Sequence, residues 1–229
     1  MRIFFDIDGT LFDHKFSERA GVLEFYRKHI NVFKNLRHEE FYELWCGISD
    51  KHFARFLRRE ISFEEQRRER IIDMFNTAGI VLTNEEADLT FKEYLQQYEQ
   101  NWRLYEDVMP CLEGLKRENK LGIISNGDLG QQLYKLERMK IRDYFDIVIT
   151  SGDIGISKPD RRIFEIACEK SGVCPDLAYY IGDDCKTDII ACQDAGMRGI
   201  WVNRNHVPYK YGNFRTVFSL GALETMDFK

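Results

Sequence analysis

The chain lacks the features that mark several large classes of protein. Among its 229 residues are four prolines and six cysteines, and no two cysteines form a CxxC pair. This spacing excludes common zinc-finger patterns, so we expect reduced thiols in a cytoplasmic protein. No apolar run reaches membrane-spanning length, and Met1 and Arg2 lead directly into an apolar segment, so we expect neither a membrane anchor nor a signal peptide.

Basic residues are not in excess either. Lys and Arg total 33 against 38 Asp and Glu, which gives a formal net charge of −5. This balance argues against a protein that coats nucleic acid, while 44% hydrophobic residues indicate a globular chain. No repeat or low-complexity tract is present. We therefore predict no nucleic-acid, membrane or protein partner.

An acidic turn follows the first apolar segment. Residues 3–5 are β-favouring, and Asp6, Asp8, Gly9 and Thr10 come next. Two carboxylates this close do not both ionise easily unless a cation lies between them or one keeps a proton. With Mg²⁺, one can attack as a nucleophile while the other acts as general acid and base. An EF-hand is excluded because Ser17 occupies the twelfth position, counted from Asp6, where that loop needs Glu.

The helical and strand patterns divide the chain into two parts. Residues 17–102 predict four helices, opened by Ser17-Glu18, by Arg37, and by capping boxes at Ser62 and Thr83. From Val108 onward short apolar runs alternate with helical segments, which is typical of parallel βαβ units. Strands are predicted at 121–125, 147–150, 178–182 and 199–202, with helices at 129–139, 160–171 and 186–195. Residues 203–229 are assigned only loosely to the core.

Three later segments carry residues suited to phosphate or metal. Ser125-Asn126-Gly127 lies at a strand end before a helix, where free N–H groups favour an anion. Lys158 precedes Pro159 at a helix entry, either as a surface lysine or as a charge that neutralises a phosphoryl group. Asp183, Asp184 and Asp188 exceed what one helix cap requires, and oxygen-rich clusters of this kind suit Mg²⁺.

In this order and at these strand ends, the four segments resemble the haloacid dehalogenase (HAD) superfamily. They are similar to its DxDGT, Ser/Thr, Lys-Pro and GDxxxxD motifs. The resemblance implies an α/β fold with a doubly wound, Rossmann-like parallel sheet as the core, formed by residues 1–14 and 106–229. Residues 15–105 resemble the C1-type helical cap, a small bundle inserted after the first strand, and the hinges are expected near residues 13–15 and 105–109.

Each motif residue then takes an implied role. Asp6 is the expected nucleophile, which forms an aspartyl-phosphate, and Asp8 the expected general acid and base. Ser125, Asn126 and Lys158 are expected to hold the phosphate. Mg²⁺ is expected on the Asp6 carboxylate, the Asp8 carbonyl and Asp183, with Asp184 as the alternative ligand. Asp188 is expected to orient Lys158 or a water on the metal.

The presence of Asp8 favours phosphoryl chemistry, because dehalogenating members lack an acid there. The resemblance therefore implies a Mg²⁺-dependent phosphomonoesterase for a small metabolite such as a nucleotide, a sugar phosphate or phosphoglycolate. A phosphomutase of the β-phosphoglucomutase type uses the same residues and stays open. A phospho-Asp receiver is a distant alternative, and a member that only binds is the last. Trp45, Phe53 and Trp102 are candidate substrate contacts, although their helical spacing favours the core.

Overall fold

One parallel sheet organises the core. A computed structural model describes residues 1–208, 214–226 and 228. Within these residues six strands pair in the order β3-β2-β1-β4-β5-β6, every pair parallel. The strands are β1 (Arg2–Phe5), β2 (Lys120–Ser125), β3 (Phe145–Thr150), β4 (Ala178–Gly182), β5 (Arg198–Val202) and β6 (Arg215–Val217).

Helices account for most of the remaining described chain. None of them is long and apolar enough to cross a membrane, among the residues that the structure describes. Their bounds are α1 (His14–Lys28), α2 (His38–Leu57), α3 (Phe63–Thr77), α4 (Asn84–Gln100), α5 (Val108–Lys116), α6 (Leu129–Arg138), α7 (Ser151–Ile154), α8 (Arg162–Ser171) and α9 (Ala191–Asp194), with a π-helical segment at Cys185–Ile190.

Strand β1 lies in the middle of the sheet, between β2 and β4. Its residues are all buried, which agrees with a continuous apolar run in a parallel strand that is covered on both faces. Phe4 pairs with Gly122 on one side and with Tyr180 on the other. On one face of the sheet Phe4 joins a buried cluster with Ile163 and Phe164 of α8. The central position of β1 brings the residues that follow it between the ends of β2 and β4.

The chain separates into two compact units. One consists of Met1–Asp13 with Arg103–Lys229, and the other is His14–Trp102. The first contains the sheet, and the second contains α1 to α4, so the predicted α/β fold with an inserted helical unit is confirmed. Motion about hinges at the junctions stays a prediction.

Most predicted elements occur where the sequence places them. The four later strands are present, and the capping boxes at Ser62 and Thr83 form as predicted. The predicted start of the first helix was wrong. Helix α1 begins at His14, and Ser17 is buried inside it with its hydroxyl donating to the Asn101 carbonyl at 2.7 Å. A side chain that bonds a distant carbonyl is not available as a helix cap.

The last part of the chain, which the sequence assigns only loosely to the core, contributes an edge strand. Strand β6 pairs with β5, and a short 3₁₀ turn follows at Leu220–Leu223 with both of these leucines buried. Residues 209–213, 227 and 229 of this stretch lie outside the described residues. The segment therefore completes the sheet beyond β5.

Candidate active site

The predicted motif residues lie at one edge of the sheet, at the carboxyl ends of adjacent strands. Asp6 directly follows β1, Ser125 ends β2, and Asp183 follows β4. Because β2, β1 and β4 are neighbours, the ends of three separate segments meet there, as expected for a site in an open α/β sheet. Lys158 reaches the same place from the loop between α7 and α8.

Asp6 and Lys158 form the buried centre of this site. Lys158 Nζ donates to Asp6 Oδ1 at 2.6 Å and to Asp188 Oδ1 at 2.7 Å. Burial alone would lower the pKa of Lys158, but the charges of Asp188 and Asp6 outweigh it and raise the pKa above its usual value. The lysine therefore stays charged. The pKa of Asp6 is raised, first by burial and then by the carboxylates around it, against the opposing effect of Lys158.

Tyr180 supports Lys158 from within β4. Its hydroxyl accepts a hydrogen bond from Lys158 Nζ at 2.8 Å and donates to the Ile124 carbonyl at 2.9 Å. Asp188 Oδ1 lies 3.2 Å from the same hydroxyl. Lys158 thus has three oxygen neighbours, which hold its ammonium group beside Asp6. Sequence reasoning missed Tyr180 because in a buried strand it is indistinguishable from the apolar residues around it.

Besides Asp188, which contacts Lys158 and Tyr180, two further carboxylates follow β4, and they lie in different environments. Asp183 accepts from the Thr10 hydroxyl at 3.2 Å, and the Trp201 indole donates to the Asp183 carbonyl at 2.8 Å. Burial, followed by the charge of Asp188, raises the pKa of Asp183 to about 7. The Asp184 carboxylate instead caps the next helical segment, accepting from the N–H groups of Lys186 and Thr187. This geometry favours Asp183 over Asp184 as a metal ligand.

Two glycines make room for these carboxylates. At Gly9, where φ is +91°, an added Cβ would lie 2.3 Å from Asp183 Oδ2. At Gly182 an added Cβ would lie 2.3 Å from Asp188 Oδ2. Such distances are far inside van der Waals contact, so each position needs a residue without a side chain. The backbone of the Asp8–Thr10 turn therefore lies directly against the Asp183 carboxylate.

Asp8 is held by two residues of α6. Lys135 Nζ lies 2.5 Å from Asp8 Oδ1, and Gln132 Nε2 donates to Asp8 Oδ2 at 3.0 Å. Gln132 Nε2 also donates to the Ser125 hydroxyl at 3.0 Å. Gln132 and Lys135 are both 2% exposed. One amide group therefore connects the expected acid–base residue with the expected phosphate-binding hydroxyl.

Asn126 makes a different contact from the one expected of a side chain that binds phosphate. Its Nδ2 donates to the Lys158 carbonyl at 3.0 Å, and its Oδ1 accepts from the Lys158 N–H at 2.8 Å. The paired bonds fix the backbone of the Lys158 loop against the end of β2. Through this contact Asn126 positions Lys158.

Sequence reasoning missed Gln132 and Lys135, although a signal was present. They are separated by three positions on α6 and so share one helix face. Leu136, which is fully buried, lies on that side of the helix. A lysine on the buried face of a helix needs an anionic partner. From that requirement, a contact between Lys135 and the acidic turn at Asp8 could have been predicted.

The oxygen ligands at this edge fit a hard divalent cation. One carboxylate oxygen from each of Asp6, Asp183 and Asp188 lies within 4.8 Å of the others. Both oxygens of Asp188 are already bonded, Oδ1 to Lys158 and Tyr180 and Oδ2 to the Asp184 N–H, whereas the bond of Asp6 to Lys158 uses Oδ1. Asp6 and Asp183 are therefore the carboxylates better placed to bind a metal. Burial and the charges of neighbouring carboxylates raise the pKa of both, and Asp188 is the neighbour common to the two. A cation relieves that repulsion, and Mg²⁺ prefers one or two such carboxylates.

With the fold and the site described, comparison with known proteins identifies the family. A family model described as haloacid dehalogenase-like hydrolase matches residues 1–196. The chain belongs to this family. The match includes all four segments that carry the HAD motifs.

Curated relatives of this HAD-like hydrolase are named as phosphatases. Human N-acylneuraminate-9-phosphatase is 29% identical over 99% of the chain and 95% of its own length. Glyceraldehyde 3-phosphate phosphatase of Methanothermobacter thermautotrophicus is 32% identical over 88% of the chain and 84% of its own length. Pyrimidine 5'-nucleotidase YjjG of Escherichia coli is 36% identical over 52% of the chain, and the chain spans about half of its length (54%). The chain is thus an enzyme of the phosphatase branch.

Solved structures share the fold across nearly the whole chain. A HAD phosphatase from Thermococcus onnurineus superposes with a TM-score of 0.67 at 26% identity, covering 97% of the chain and 95% of that structure. A 2-haloacid dehalogenase from Pseudomonas syringae pv. Tomato DC3000 superposes with a TM-score of 0.71 at 24% identity, with the same coverage. The second likeness concerns the fold alone, since the HAD fold is common to hydrolases of both kinds.

Proposed function

We propose that this HAD-like hydrolase is a Mg²⁺-dependent phosphomonoesterase for a small phosphorylated metabolite and acts through an aspartyl-phosphate on Asp6. The observation that carries the proposal is the buried contact between Asp6 and Lys158, with Asp8 held at the other end of the same turn. A dehalogenase needs no acid beside its nucleophile, because a halide leaves without a proton. The alkoxide that leaves from a phosphate ester is a strong base, so it does need a proton from a general acid.

The first chemical step is an attack of the Asp6 carboxylate on phosphorus. The bond from phosphorus to the ester oxygen breaks, and that oxygen receives a proton from the Asp8 carboxyl group. Lys158 offsets negative charge on Asp6 and on the transferring phosphoryl group. The phosphate oxygens are proposed to contact the hydroxyl of Ser125, the last residue of β2, and the backbone at Asn126.

The second step returns the enzyme to its starting state. Asp8 accepts a proton from water as the water attacks phosphorus, and the bond between phosphorus and Asp6 breaks with release of inorganic phosphate. Bound Mg²⁺ supplies charge stabilisation for the phosphoryl oxygens. Asp6, the Asp8 carbonyl and Asp183 are its proposed ligands, and Asp188 keeps Lys158 in place.

The test is release of phosphate from 4-nitrophenyl phosphate, measured with Mg²⁺ and with a chelator. We expect turnover that requires Mg²⁺ and disappears in Asp6→Asn. Asp176→Asn, an exposed aspartate outside the site, is the matched control and is expected to keep full activity. Activity that appears only with an added sugar bisphosphate would indicate a mutase reaction and contradict simple hydrolysis. Full activity in Asp6→Asn would exclude the aspartyl-phosphate.

A further inference from the structure

Arg204 lies in the loop that follows β5, at the same edge of the sheet as the proposed site. Asn203 fixes this loop, since its side chain bonds the Val207 carbonyl at 2.9 Å and the Val207 N–H at 2.8 Å. The guanidinium of Arg204 lies over the ring of Tyr105, 3.8 Å from its centre. Only 14% of the Arg204 side chain is exposed, so the charge is largely removed from water and requires well-placed partners.

Asp107 is the counter-ion of Arg204. Its Oδ2 accepts from Arg204 Nη1 at 2.8 Å and its Oδ1 accepts from Arg204 Nη2 at 2.9 Å, which makes a bidentate pair. Asp107 Oδ2 also accepts from the Leu220 N–H at 2.7 Å, so the 3₁₀ turn that begins at Leu220 holds the same carboxylate. The direction in which the guanidinium points is therefore fixed.

The same guanidinium bonds the acidic turn after β1. Arg204 Nη2 donates to the Thr10 carbonyl at 2.9 Å, so one amino group joins Asp107 and Thr10. Thr10 is fully buried, and its hydroxyl donates to Asp183 Oδ1 at 3.2 Å. Arg204 thus holds the backbone of the residue whose side chain orients a proposed Mg²⁺ ligand. A second proposed ligand, the Asp8 carbonyl, lies two residues earlier in the same turn.

The turn cannot shift without disturbing Asp183. An added Cβ at Gly9 would lie 2.3 Å from Asp183 Oδ2, so the backbone of the turn is in contact with that carboxylate. A displacement of Thr10 would therefore change both the hydrogen bond to Asp183 and the space that its carboxylate occupies.

We propose that Arg204 is a positioning residue for the Mg²⁺ site, which it holds through Thr10. The bond to the Thr10 carbonyl fixes the turn that supplies the Asp8 carbonyl, and the Thr10 hydroxyl fixes the direction of Asp183. Arg204 itself binds neither the metal nor the substrate. Removing a group that orients metal ligands typically weakens metal binding by about 10–100-fold. This inference rests on the Mg²⁺ ligands of the proposed function.

Metal binding is tested without any turnover. Mn²⁺, which suits the same oxygen ligands as Mg²⁺, is titrated into each protein while the paramagnetic resonance signal of the free ion is followed, and Mg²⁺ then competes for the site. We expect Arg204→Met to raise the dissociation constant of both ions by about tenfold or more, and Arg204→Lys to raise it less. Arg138→Met, an exposed arginine at the end of α6, is the matched control and should bind like the wild type.

A double-mutant cycle shows whether Arg204 acts through Thr10. Thr10→Val keeps the shape of the side chain and the backbone carbonyl but removes the hydroxyl that bonds Asp183, so it should weaken Mn²⁺ binding by itself. The double variant with Arg204→Met should weaken binding by less than the product of the two single effects, because the two residues belong to one chain of contacts. An effect equal to the product would overturn the proposal.

Stability separates this role from a purely structural one. Arg204→Met leaves Asp107 largely buried without its counter-ion, so urea unfolding should show a lower midpoint. An arginine that only stabilised the fold would lower the midpoint and leave the metal affinity of the folded protein unchanged, and that combination would overturn the proposal. If Arg204→Met does not fold, Arg204→Lys replaces it in the titration and in the cycle, with the same criteria.

Phosphate release then connects the metal affinity to catalysis. With 4-nitrophenyl phosphate, the Mg²⁺ concentration for half-maximal activity should rise in Arg204→Met by a factor similar to that of the dissociation constant, while kcat at saturating Mg²⁺ falls by a smaller factor. A fall in kcat with an unchanged response to Mg²⁺ would overturn the proposal. Absence of phosphate release in the wild type would reject the proposed function, and the Mn²⁺ titrations would still decide on Arg204.

Discussion

Lys135 Nζ lies 2.5 Å from Asp8 Oδ1, so a buried lysine of α6 holds the carboxylate that we propose as the general acid and base. The pair joins two segments that are 127 residues apart in sequence. Gln132, one turn earlier, donates to the other oxygen of the same carboxylate. Both oxygens of Asp8 therefore have a fixed donor, and the orientation of the carboxylate is determined.

Replacing Lys135 should reveal this positioning through the leaving group. In Lys135→Met the Asp8 carboxylate loses one of its two fixed donors, and we expect kcat for glycerol phosphate to fall by about 10²-fold, the usual scale of general acid–base catalysis. The first step on 4-nitrophenyl phosphate should change far less, because nitrophenolate leaves without a proton. A rapid-mixing burst of nitrophenolate measures that step separately from dephosphorylation.

Two variants serve as controls for that experiment. Lys135→Arg retains a cation on the same helix face and should restore part of the activity, while Lys170→Met changes an exposed lysine of α8 and should have no effect. Equal losses for the alkyl and the aryl ester in Lys135→Met would mean that the residue supports the fold and not the proton transfer.

Neighbouring aspartates after β4 should respond differently to truncation. Asp183→Ala removes a proposed ligand, so the Mg²⁺ concentration for half-maximal activity should rise by about tenfold or more. Asp184→Ala removes a helix cap and should lower the free energy of unfolding by about 0.5–2 kcal/mol while the response to Mg²⁺ stays unchanged. Magnesium titrations and urea unfolding of both variants check the assignment, which fails if the two responses are exchanged.

A methyl group at Gly9 should disable the site. Its Cβ would overlap the Asp183 carboxylate, and the positive φ adds strain, so Gly9→Ala must displace the turn or the carboxylate. A displacement of about 1 Å can cost on the order of 10²-fold in rate. Gly47→Ala is the matched control, since the space at that position in α2 is open and alanine favours a helix by about 0.5–1 kcal/mol. Steady-state kinetics with both variants is the measurement. Full activity in Gly9→Ala would mean that the close approach of the turn to Asp183 is not needed for activity.

The Tyr180 hydroxyl should matter for stability as well as for activity. Tyr180→Phe leaves the Ile124 carbonyl without its donor and takes one oxygen neighbour from Lys158, both in a fully buried environment. Leaving such groups unpaired costs about 1–3 kcal/mol, which urea unfolding can measure. Tyr134→Phe, at an exposed tyrosine of α6, should stay within about 0.5 kcal/mol of the wild type. Similar free energies of unfolding for the two variants would mean that the Tyr180 hydroxyl does not stabilise Lys158 and the Ile124 carbonyl.

The parts of the fold that sequence predicted are those with strong local patterns. Buried parallel strands such as β1 and β4 are continuous apolar runs, and capping boxes at Ser62 and Thr83 mark helix starts through contacts three residues apart. Strand β6 was missed because its three residues include only one buried side chain, Val217. Its pairing with β5 comes from tertiary contact, which no local pattern records.

The same distinction applies to the site. The meeting of Asp6 and Asp183 was predictable because residues at the ends of neighbouring parallel strands lie at one edge of the sheet. Lys158 lies in the loop between α7 and α8, and it was the family resemblance that predicted its place beside them. The residues that orient them were not predictable, because their chemistry depends on what they face after folding. Tyr180 looks like any other residue of a buried strand, and Asn126 carries a side chain that turns to the backbone of Lys158. Motifs predict the reacting groups, and tertiary structure shows which side chains hold them.

The central place of β1 also sets the order in which the chain can fold during synthesis. Its partners, β2 and β4, begin at residues 120 and 178, so neither neighbour of β1 in the sheet exists until more than a hundred further residues have been translated. The helical unit is one continuous segment from residue 14 to residue 102, so all of its residues are translated before β2 begins at residue 120. Contacts between distant residues are slow to form. We therefore expect the inserted helices to fold on the nascent chain before the sheet, while the apolar strand β1 remains unpaired and exposed to chaperones.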